Sequence, residues 1–131
     1  MREMPVGTKG SFTMTVEHQH LASTVDNTLP EVLATGWMVI MMERAAMDAM
    51  RPFLEPGESS VGVAMNIGHV AATPPKHVVH ATAEMVKAEG RRFEFKVSAR
   101  DETEVIGSGT HQRVVINPTK FLERLAAKVK R

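Results

Sequence analysis

The feature that most constrains this chain is a central segment that is apolar on almost every face. Six apolar residues run without a break from Trp37 to Met42. Five of the ten methionines crowd this stretch: Met38, Met41, Met42, Met47 and Met50. Methionine fills irregular gaps, which suits a core helix and is also compatible with an adaptable ligand tunnel beside it. A helix of this kind cannot lie on a surface, so other elements must wrap around it.

The expected limits of this helix come from the residues on either side. Thr28 followed three residues later by Glu31 matches a capping box, and Pro30 suits a first helical turn. At the other end, Arg51-Pro52 should close the helix, because the residue before a proline is pushed out of the helical region. We therefore predict a helix from Pro30 to about Met50.

Five other segments have the residue pattern of β-strands. They alternate apolar with polar side chains or are rich in Val, Ile, Thr and Phe, and they cover residues 10–18, 60–70, 77–88, 91–100 and 104–116. The alternation is clearest at Phe93, Phe95 and Val97, and Asn117-Pro118 then starts a short terminal helix. This order predicts an α+β domain in which a curved antiparallel sheet of about five strands wraps around the long helix. That architecture is the hotdog fold.

Length and composition set further limits. With 131 residues the chain has the size of one domain, which we take as residues 1–131. It has no cysteine, which excludes a thiol nucleophile, a zinc–thiolate site and a disulfide framework, and which fits a reducing, cytoplasmic setting. The net charge of +1 gives no electrostatic reason for a nucleic-acid partner. No apolar run approaches the about twenty residues of a membrane span, and no signal-peptide pattern opens the sequence.

Glu43 is the first candidate for chemistry, because it lies inside the most apolar helix. An ionised carboxylate is rarely buried without a partner. Two explanations fit its position about equally well. One is a catalytic role, and the other is an ion pair with Arg44 or Arg51 at the edge of the helix.

Thr35 is the second candidate, eight residues before Glu43. On a regular helix this spacing corresponds to about 80° of rotation and about 12 Å of rise, too far for a hydrogen bond between the two side chains. Both can still border one elongated cleft. If the straight helix starts here, Thr35 is its N-cap, and free backbone amides such as that of Gly36 point outward. Such amides suit the oxyanion that forms when a carbonyl group is attacked, although capping alone is the simpler role for Thr35.

Among the six histidines, His69 follows a predicted strand and precedes a proline-rich turn. A lone histidine there fits a structural role as well as a catalytic one. His18 and His20 could chelate a metal across a strand face, but two ligands are too few for a site, and the sequence has no HExxH pattern. The glycine-rich residues 106–110 lie inside a strand pattern and indicate a bulge or a close backbone approach, which could be to a ligand.

Several of these segments together resemble the fluoroacetyl-CoA thioesterase family. The match runs without a gap from about residue 29 to residue 121. Its segments are Leu29-Pro30-Glu31-Val32, Ala34-Thr35-Gly36-Trp37-Met38-Val39 with Glu43 downstream, Leu54-Glu55-Pro56-Gly57-Glu58, His69 with Ala71-Ala72-Thr73-Pro74-Pro75, Glu89-Gly90-Arg91-Arg92, and Ile106-Gly107-Ser108-Gly109-Thr110-His111. Each segment alone is a weak signal, but their combination is specific.

The resemblance implies a hotdog homodimer with its active site at the subunit interface, and it leaves open whether two dimers pair further. The family's catalytic threonine, glutamate and histidine fall on Thr35, Glu43 and His69. A glycine that lines the acyl site falls on Gly62, and Arg113 matches a position near the CoA phosphates. With the amide of Gly36 these residues form the predicted substrate site. No metal or cofactor is implied, since CoA is part of the substrate.

The resemblance also implies hydrolysis of a short-chain acyl-CoA to the carboxylic acid and free CoA. Glu43 would activate water or attack the carbonyl, Thr35 would position the carboxylate or share the nucleophilic role, and His69 would protonate the departing thiolate. The polar residues 19–29 are expected to form a loop or lid. The family's aromatic-rich lid is associated with selecting fluoroacetyl over acetyl, and residues 23–29 have no aromatic side chain, so strict fluoroacetyl selectivity is not expected. The alternative is a non-catalytic acyl-CoA-binding or sensing module, because hotdog domains also serve that purpose.

Two of the predicted strands bear on how a dimer could form. Residues 60–70 and 77–88 have no proline in their interiors, so nothing in them prevents pairing at an exposed sheet edge. Pairing through such an edge would build a continuous sheet across two subunits.

Overall fold

In the computed structural model, which describes residues 1–130, an antiparallel five-stranded sheet curves around one long helix. The elements in chain order are β1 (Lys9–Thr15), α1 (Thr35–Met50), β2 (Ser59–His69), β3 (Val78–Glu89), β4 (Arg92–Arg100), β5 (Val105–Ile116) and α2 (Pro118–Val129). The strands lie in the order β1-β3-β4-β5-β2, so the second strand of the sequence forms one edge of the sheet.

The core lies between α1 and the inner face of the sheet. Seven residues of α1 are buried: Met38, Met41, Met42, Ala45, Ala46, Ala49 and Met50. They form one apolar cluster with inward-facing side chains of the sheet such as Phe95 and Val97. The sheet therefore wraps the helix in the predicted hotdog arrangement. One strip of α1 is left uncovered, where Ile40 and Met47 are exposed.

The strand predictions agree closely with the structure. The four strands after α1 begin and end within one residue of their predicted limits, whereas β1 ends at Thr15 instead of residue 18. In β4 the apolar residues of the alternating sequence are the buried ones, with Phe93, Phe95 and Val97 facing the core. The side chain of Asn117 caps α2, which has no buried residue of its own.

The predicted start of the long helix is wrong, because α1 begins at Thr35 and not at Pro30. The capping pattern fails since Thr28 bonds to the side chain of Asp26, through its amide at 2.9 Å and its hydroxyl at 2.7 Å. The residues that follow are held extended by long-range backbone bonds. These run from the amide of Ala22 to the carbonyl of Val32, from Leu33 to Thr73 and from Ala34 to His20. Local sequence does not reveal such partners.

The two edges of the sheet are β1 and β2. β2 is the longer edge, with eleven residues against seven, and among residues 1–130 it pairs only with β5. β3 lies inside the sheet and pairs with both β1 and β4. The expectation that residues 77–88 could supply a free edge is therefore wrong, whereas residues 60–70 do form one.

Residues 19–29 lie in a loop, as predicted, and this loop spans all residues between β1 and α1, with two short 3-10 turns at His18–His20 and Ala22–Thr24. An isolated bridge between Leu21 and Leu33 ties the two ends of this loop together. Neither helix in the described part of the chain combines the length and apolar character that crossing a membrane requires.

The glycine-rich segment of β5 marks a close backbone approach, as predicted. A side-chain carbon added at Gly107 would lie 2.6 Å from the backbone oxygen of Gly68 and 2.7 Å from the sulfur of Met38. One added at Gly109 would collide with the backbone of β2. The close neighbours are therefore β2 and α1, which these glycines allow to pack tightly against β5.

Candidate active site

Thr35 and His69 meet at the start of α1. Thr35 is the first residue of the helix, His69 is the last residue of β2, and Thr35 Oγ1 lies 2.7 Å from His69 Nδ1. The N-cap position belongs to Ala34, which provides no side-chain hydrogen bond to the helix. The capping role considered for Thr35 is therefore not observed. Its hydroxyl is bonded to the imidazole instead.

The helix N-terminus beside this pair is open. The first amides of α1 that donate within the chain are those of Trp37 and Met38, both to the carbonyl of Ala34. The amides of Thr35 and Gly36 have no acceptor within residues 1–130. A side-chain carbon at Gly36 would meet no heavy atom within 4 Å, so this surface is also sterically free. Two free amides at the positive end of a helix can hold a developing oxyanion.

The second ring nitrogen of His69 lacks a partner. Nε2 is buried and makes no hydrogen bond to any described residue. It carries a proton whenever the Thr35 hydroxyl donates to Nδ1, and also when the ring is doubly protonated. A buried donor without an acceptor costs about 1–3 kcal/mol. Such a donor is expected where a ligand completes the site.

Glu43 lies two turns further along α1 and forms an ion pair with Arg113 of β5. Arg113 Nη1 is 3.4 Å from Glu43 Oε2. The arginine side chain is only 4% exposed, whereas that of Glu43 is 34% exposed. Arg113 is therefore the buried, fixed member of the pair, and the carboxylate is the accessible one.

The ion pairs considered from the sequence are not formed. The guanidinium of Arg44 lies over the ring of Phe12, 4.5 Å from its centroid. Arg51 pairs with Asp48 at 3.1 Å. The ion-pair partner of Glu43 is therefore Arg113 of β5.

Arg113 is held on several sides. Its Nε donates to Ser60 Oγ at 2.9 Å and its Nη2 to the Ser60 carbonyl at 3.0 Å. Its Nη1 lies 3.1 Å from His111 Nε2 as well as near Glu43. Burial lowers the pKa of Arg113 from its ordinary value, and the charge of Glu43 opposes that shift. Its hydrogen bonds to Ser60, His111 and Glu43 place Arg113 against the candidate carboxylate, and its expected place near the CoA phosphates stays a prediction.

His111 completes this cluster, and sequence reasoning did not single it out. It is 1% exposed, with Nδ1 2.8 Å from the Ala64 carbonyl. Burial lowers the pKa of His111 first of all; the bond to Ala64 opposes this, and the charge of Arg113 adds to it. One signal could have found this residue. Alternate residues of β5 are buried, and His111, Arg113 and Val115 are on the face of the strand that points to the core. A histidine and an arginine therefore face a helix that carries a glutamate.

Gly62 leaves the space that the Glu43 carboxylate occupies. It stands opposite Arg113 in the pairing of β2 with β5, next to a shift in register. A side-chain carbon at Gly62 would lie 2.5 Å from Glu43 Oε2, 3.2 Å from His111 Cε1 and 3.4 Å from Arg113 Nη1. Glycine at this position therefore permits the ion pair to form where it does.

The predicted site residues fall into two clusters. The structure brings Thr35 to His69, and it brings Glu43 to Gly62 and Arg113. The clusters are separated by two helical turns, about 12 Å of rise. Beside Glu43 is an open cleft of about 350 Å³, lined by Ile40, Glu43, Arg44, Met47, Arg51 and Arg113. Within one chain the first cluster does not contact the second.

Of the two histidines that the sequence offers as a metal-binding pair, His20 makes other contacts. His20 packs edge-on against Trp37 with ring centroids 4.5 Å apart, and its Nδ1 accepts a hydrogen bond from the amide of Glu17. Among residues 1–130 no group of three His, Asp or Glu side chains is arranged to hold a metal ion. His18 and His20 are therefore not part of such a group.

Most of the chain is similar to known thioesterases. The family model for fluoroacetyl-CoA-specific thioesterases matches residues 16–119. The fluoroacetyl-CoA thioesterase of Streptantibioticus cattleyicolor is 50% identical over 114 residues, which cover 87% of this chain and 82% of that protein. A solved structure of the fluoroacetyl-CoA thioesterase FlK has a TM-score of 0.91 at 42% identity, covering 96% of this chain and 98% of that one. A thioesterase superfamily member from Thermus thermophilus has a TM-score of 0.90 at 32% identity, covering 99% and 96%. With this similarity in sequence and in fold, the chain belongs to the fluoroacetyl-CoA-specific thioesterase family and has its hotdog fold.

Proposed function

We propose that this protein is an acyl-CoA thioesterase that hydrolyses a short-chain acyl-CoA to the carboxylic acid and free CoA. The observation that carries this proposal is the cluster at the start of α1. A threonine–histidine hydrogen bond of 2.7 Å lies beside two free amides, and the buried Nε2 of His69 has no partner. Donors without acceptors are what a thioester needs, because negative charge develops on its oxygen and then on its sulfur.

The proposed reaction divides the steps between the two clusters. Glu43 takes a proton from water, and the water oxygen attacks the thioester carbonyl carbon. The amides of Thr35 and Gly36 hold the charge that develops on the carbonyl oxygen. The carbon–sulfur bond then breaks, and doubly protonated His69 gives its Nε2 proton to the thiolate. The proton taken by Glu43 restores His69, so each turnover consumes one water and yields the acid and the free thiol.

Thr35 is proposed to orient His69. It is too far from Glu43 in the same chain to position that carboxylate, whereas its hydroxyl already contacts His69 Nδ1. A fixed ring keeps Nε2 directed at the reacting group. Direct attack by Glu43 on the carbonyl is the variant of this scheme, and its acyl-enzyme intermediate would be detectable by mass spectrometry after rapid quenching.

We further propose that the enzyme works as a homodimer with its sites at the subunit interface. A separation of about 12 Å prevents both clusters of one chain from acting on one thioester bond. Pairing two copies about a two-fold axis through edge strand β2 reverses the partner's α1 relative to the first. The Glu43 of one subunit would then approach the Thr35 cluster of the other, and each site would need both chains.

The surface around β2 supports this pairing. β2 is a long edge without proline, and antiparallel edges of this kind invite pairing unless they are blunted. Three apolar side chains are between 38% and 46% exposed: Val63 on β2 itself, and Ile40 and Met47 on α1, which line the Glu43 cleft. A partner that covered them would remove apolar surface from water around the Glu43 cleft.

We propose that hydrolysis does not depend on fluorine in the acyl group. The segment 23–29, which precedes α1, has no aromatic residue. Its apolar side chains Val25 and Leu29 are 75% and 44% exposed, and Thr35 itself is exposed. The nearby Trp37 packs against His20 instead. Acetyl and other short acyl groups should therefore be accepted alongside fluoroacetyl.

The proposed reaction calls for no metal or cofactor, because a thiolate is a good leaving group and the polar groups described above supply the charge stabilisation. We propose a cytoplasmic location, since a chain without cysteine fits a reducing compartment.

The test of this function is hydrolysis of a panel of acetyl-, fluoroacetyl-, propionyl- and butyryl-CoA, with free CoA detected by a thiol-reactive dye. The dye reports CoA alone, because the protein has no cysteine. We expect turnover of several short acyl groups, with kcat/KM for acetyl-CoA of the same order as for fluoroacetyl-CoA. Calorimetric binding of acyl-CoA without release of CoA would support the binding or sensing module instead. A large preference for fluoroacetyl-CoA would contradict the selectivity proposed here.

The dimer is tested by light scattering at micromolar concentration together with an activity titration. We expect a dimer whose specific activity falls upon dilution into the range where it dissociates. A monomer that retains full specific activity would contradict the shared site.

A further inference from the structure

We infer that His111 is a positioning residue, a neutral hydrogen-bond acceptor that fixes Arg113 against Glu43. Its effect on turnover rests on the proposed function, but its protonation state does not. His111 is nearly fully buried and contacts neither the cleft nor the Thr35 cluster. It therefore acts through Arg113 and not on the substrate.

The hydrogen-bond partners of His111 define its tautomer. Nδ1 lies 2.8 Å from the Ala64 carbonyl, which can only accept, so Nδ1 carries a proton. Nε2 lies 3.1 Å from Arg113 Nη1, and a guanidinium can only donate, so Nε2 carries none. Both nitrogens are satisfied only in this neutral form. Protonation of Nε2 would place two donors, and two positive charges, against each other inside the core.

The acceptor on His111 matters because of how the guanidinium is held. Two bonds to Ser60 fix the Nε and Nη2 side of Arg113. The Nη1 side is shared between His111 and Glu43, at 3.1 Å and 3.4 Å. Each of the two hydrogens of Nη1 thus has its own acceptor. Without the His111 acceptor, the rigid guanidinium plane could tilt about its bonds to Ser60, and the carboxylate paired with Nη1 would move with it. The orientation of Glu43 is therefore set by β2 and β5 through Arg113.

If the role of His111 were purely structural, it would depend on Nδ1 instead of Nε2. The hydrogen bond from Nδ1 to the Ala64 carbonyl joins β5 to β2 where the register of the two strands shifts, between Gly62 and Ala64. Two substitutions separate the roles, because each keeps one nitrogen's function. His111→Asn places an amide donor near Nδ1 and loses the acceptor at Nε2. His111→Gln places an amide oxygen near Nε2 and loses the bond to Ala64.

The kinetic test compares these two variants, with unfolding temperature as the check on folding. If small displacements of a reacting group are costly, His111→Asn should lower kcat about 10- to 100-fold with KM within about twofold, and His111→Gln should retain kcat within about threefold. In an Arg113→Met background, His111→Asn should cause no further loss, because the residue it positions is gone. The inference would be overturned if His111→Asn had the kcat of the wild type. It would also be overturned if both His111 variants lost kcat equally and these losses were additive with the loss from Arg113→Met.

A second test does not depend on activity. Long-range ¹H–¹⁵N spectra of protein labelled with ¹⁵N-histidine distinguish the two neutral tautomers from imidazolium, and His111→Gln identifies the signal by its absence. We expect His111 to be the neutral tautomer with the proton on Nδ1 at pH 7. The other tautomer, or an imidazolium, would overturn the inference.

The two tests also separate this inference from the proposed function. If the wild-type protein hydrolyses no acyl-CoA, the proposed function fails, and the spectra still decide whether His111 is the neutral acceptor. If the wild-type protein is active and His111→Asn matches it, the inference fails and the thioesterase proposal stands.

Discussion

The two clusters of the candidate site, one at the start of α1 and one two helical turns later, differ in how many of their polar groups have hydrogen-bond partners. At the start of α1, the amides of Thr35 and Gly36 and the Nε2 of His69 have no partners within residues 1–130. Two turns later, Arg113 bonds to three residues, and both ring nitrogens of His111 are used. Buried polar groups are almost always paired in folded proteins, so the unpaired end is the one that a ligand should complete.

This difference predicts different consequences for substitution. A change at the start of α1 should remove a contact with the reacting group, and its effect should depend on the chemistry of the substrate. A change around Arg113 should displace Glu43, and its effect should be similar for all substrates. Substitutions in the two clusters therefore test this division.

The largest effect is expected from Glu43→Gln, which keeps the shape of the side chain but removes its basicity. General acid–base groups contribute about 10²–10⁴-fold, so kcat should fall by that factor while the fold and the proposed dimer persist. The matched control is Asp48→Asn, because Asp48 is on the same helix and also pairs with an arginine. Steady-state kinetics on the best substrate of the panel measures both. Near-wild-type kcat in Glu43→Gln would remove the carboxylate from the mechanism.

A smaller effect that depends on the substrate is expected from His69→Ala. A proton donor matters most when the leaving group is basic, so alkyl thioesters should lose about 10²-fold in kcat and activated aryl esters much less. His80→Ala is the control, because His80 Nδ1 makes a similar 2.7 Å contact with Thr13 Oγ1 between β3 and β1, away from α1. Equal losses for both classes of ester would mean that His69 supports the structure or acts in another step.

A loss that does not depend on the substrate is expected from Gly62→Ala. The added carbon would lie 2.5 Å from Glu43 Oε2, so the carboxylate must move. Because a displacement of about 1 Å can cost up to about 10²-fold, we expect kcat to fall about tenfold for alkyl and aryl esters alike. Gly68→Ala is the control on the same strand, since its nearest atom would be Val70 Cγ1 at an ordinary 3.7 Å. A loss confined to one class of ester would contradict the assignment of this region to positioning Glu43.

The fold was predictable because its signals are local. Periods of two mark the strands, and a helix that is apolar nearly all round requires a sheet around it. The start of α1 was not predictable in this way. Whether residues 32–34 are helical or extended depends on hydrogen bonds to Ala22, His20 and Thr73, and the last of these is about forty residues distant in the chain.

The same limit applies to the candidate site. Glu43 and Thr35 stand out locally, one by its apolar surroundings and the other by its place at a helix start. The partner of Glu43 is seventy residues away in sequence, and local pattern favoured the nearer arginines. His111 became visible only when the register of β5 placed it beside Arg113. The residues proposed to contact the substrate were suggested by motif, whereas those that support them were found only from the fold.

The smallest expected effect is on stability. It concerns only the cluster of Glu43, His111 and Arg113, whose polar groups have hydrogen-bond partners. Burial, above all, lowers the pKa of His111 below 6.5, its value in the unfolded chain. Between these two values the unfolded chain binds a proton that the folded chain does not. The free energy of unfolding should therefore decrease as the pH falls below about 6.5, by at most about 1.4 kcal/mol per pH unit from this site. The stabilisation is fully present above that pH.

His111→Gln should flatten the dependence of the unfolding free energy on pH below about pH 6.5, because it removes the titrating group.

Asp101 provides a control in another pH range. Burial alone would raise the pKa of Asp101, but hydrogen bonds from the amides of Thr103 and Glu104 and from the Thr73 hydroxyl lower it below 3.8. Its stabilisation is thus present above about pH 3.8 and is lost as the pH falls towards the lowered value. Urea unfolding between pH 4.5 and 8 should show the slope in the wild type and in Asp101→Asn but not in His111→Gln. If the slope of the unfolding free energy against pH is the same in His111→Gln as in the wild type, His111 is not the buried neutral group in the cluster around Arg113.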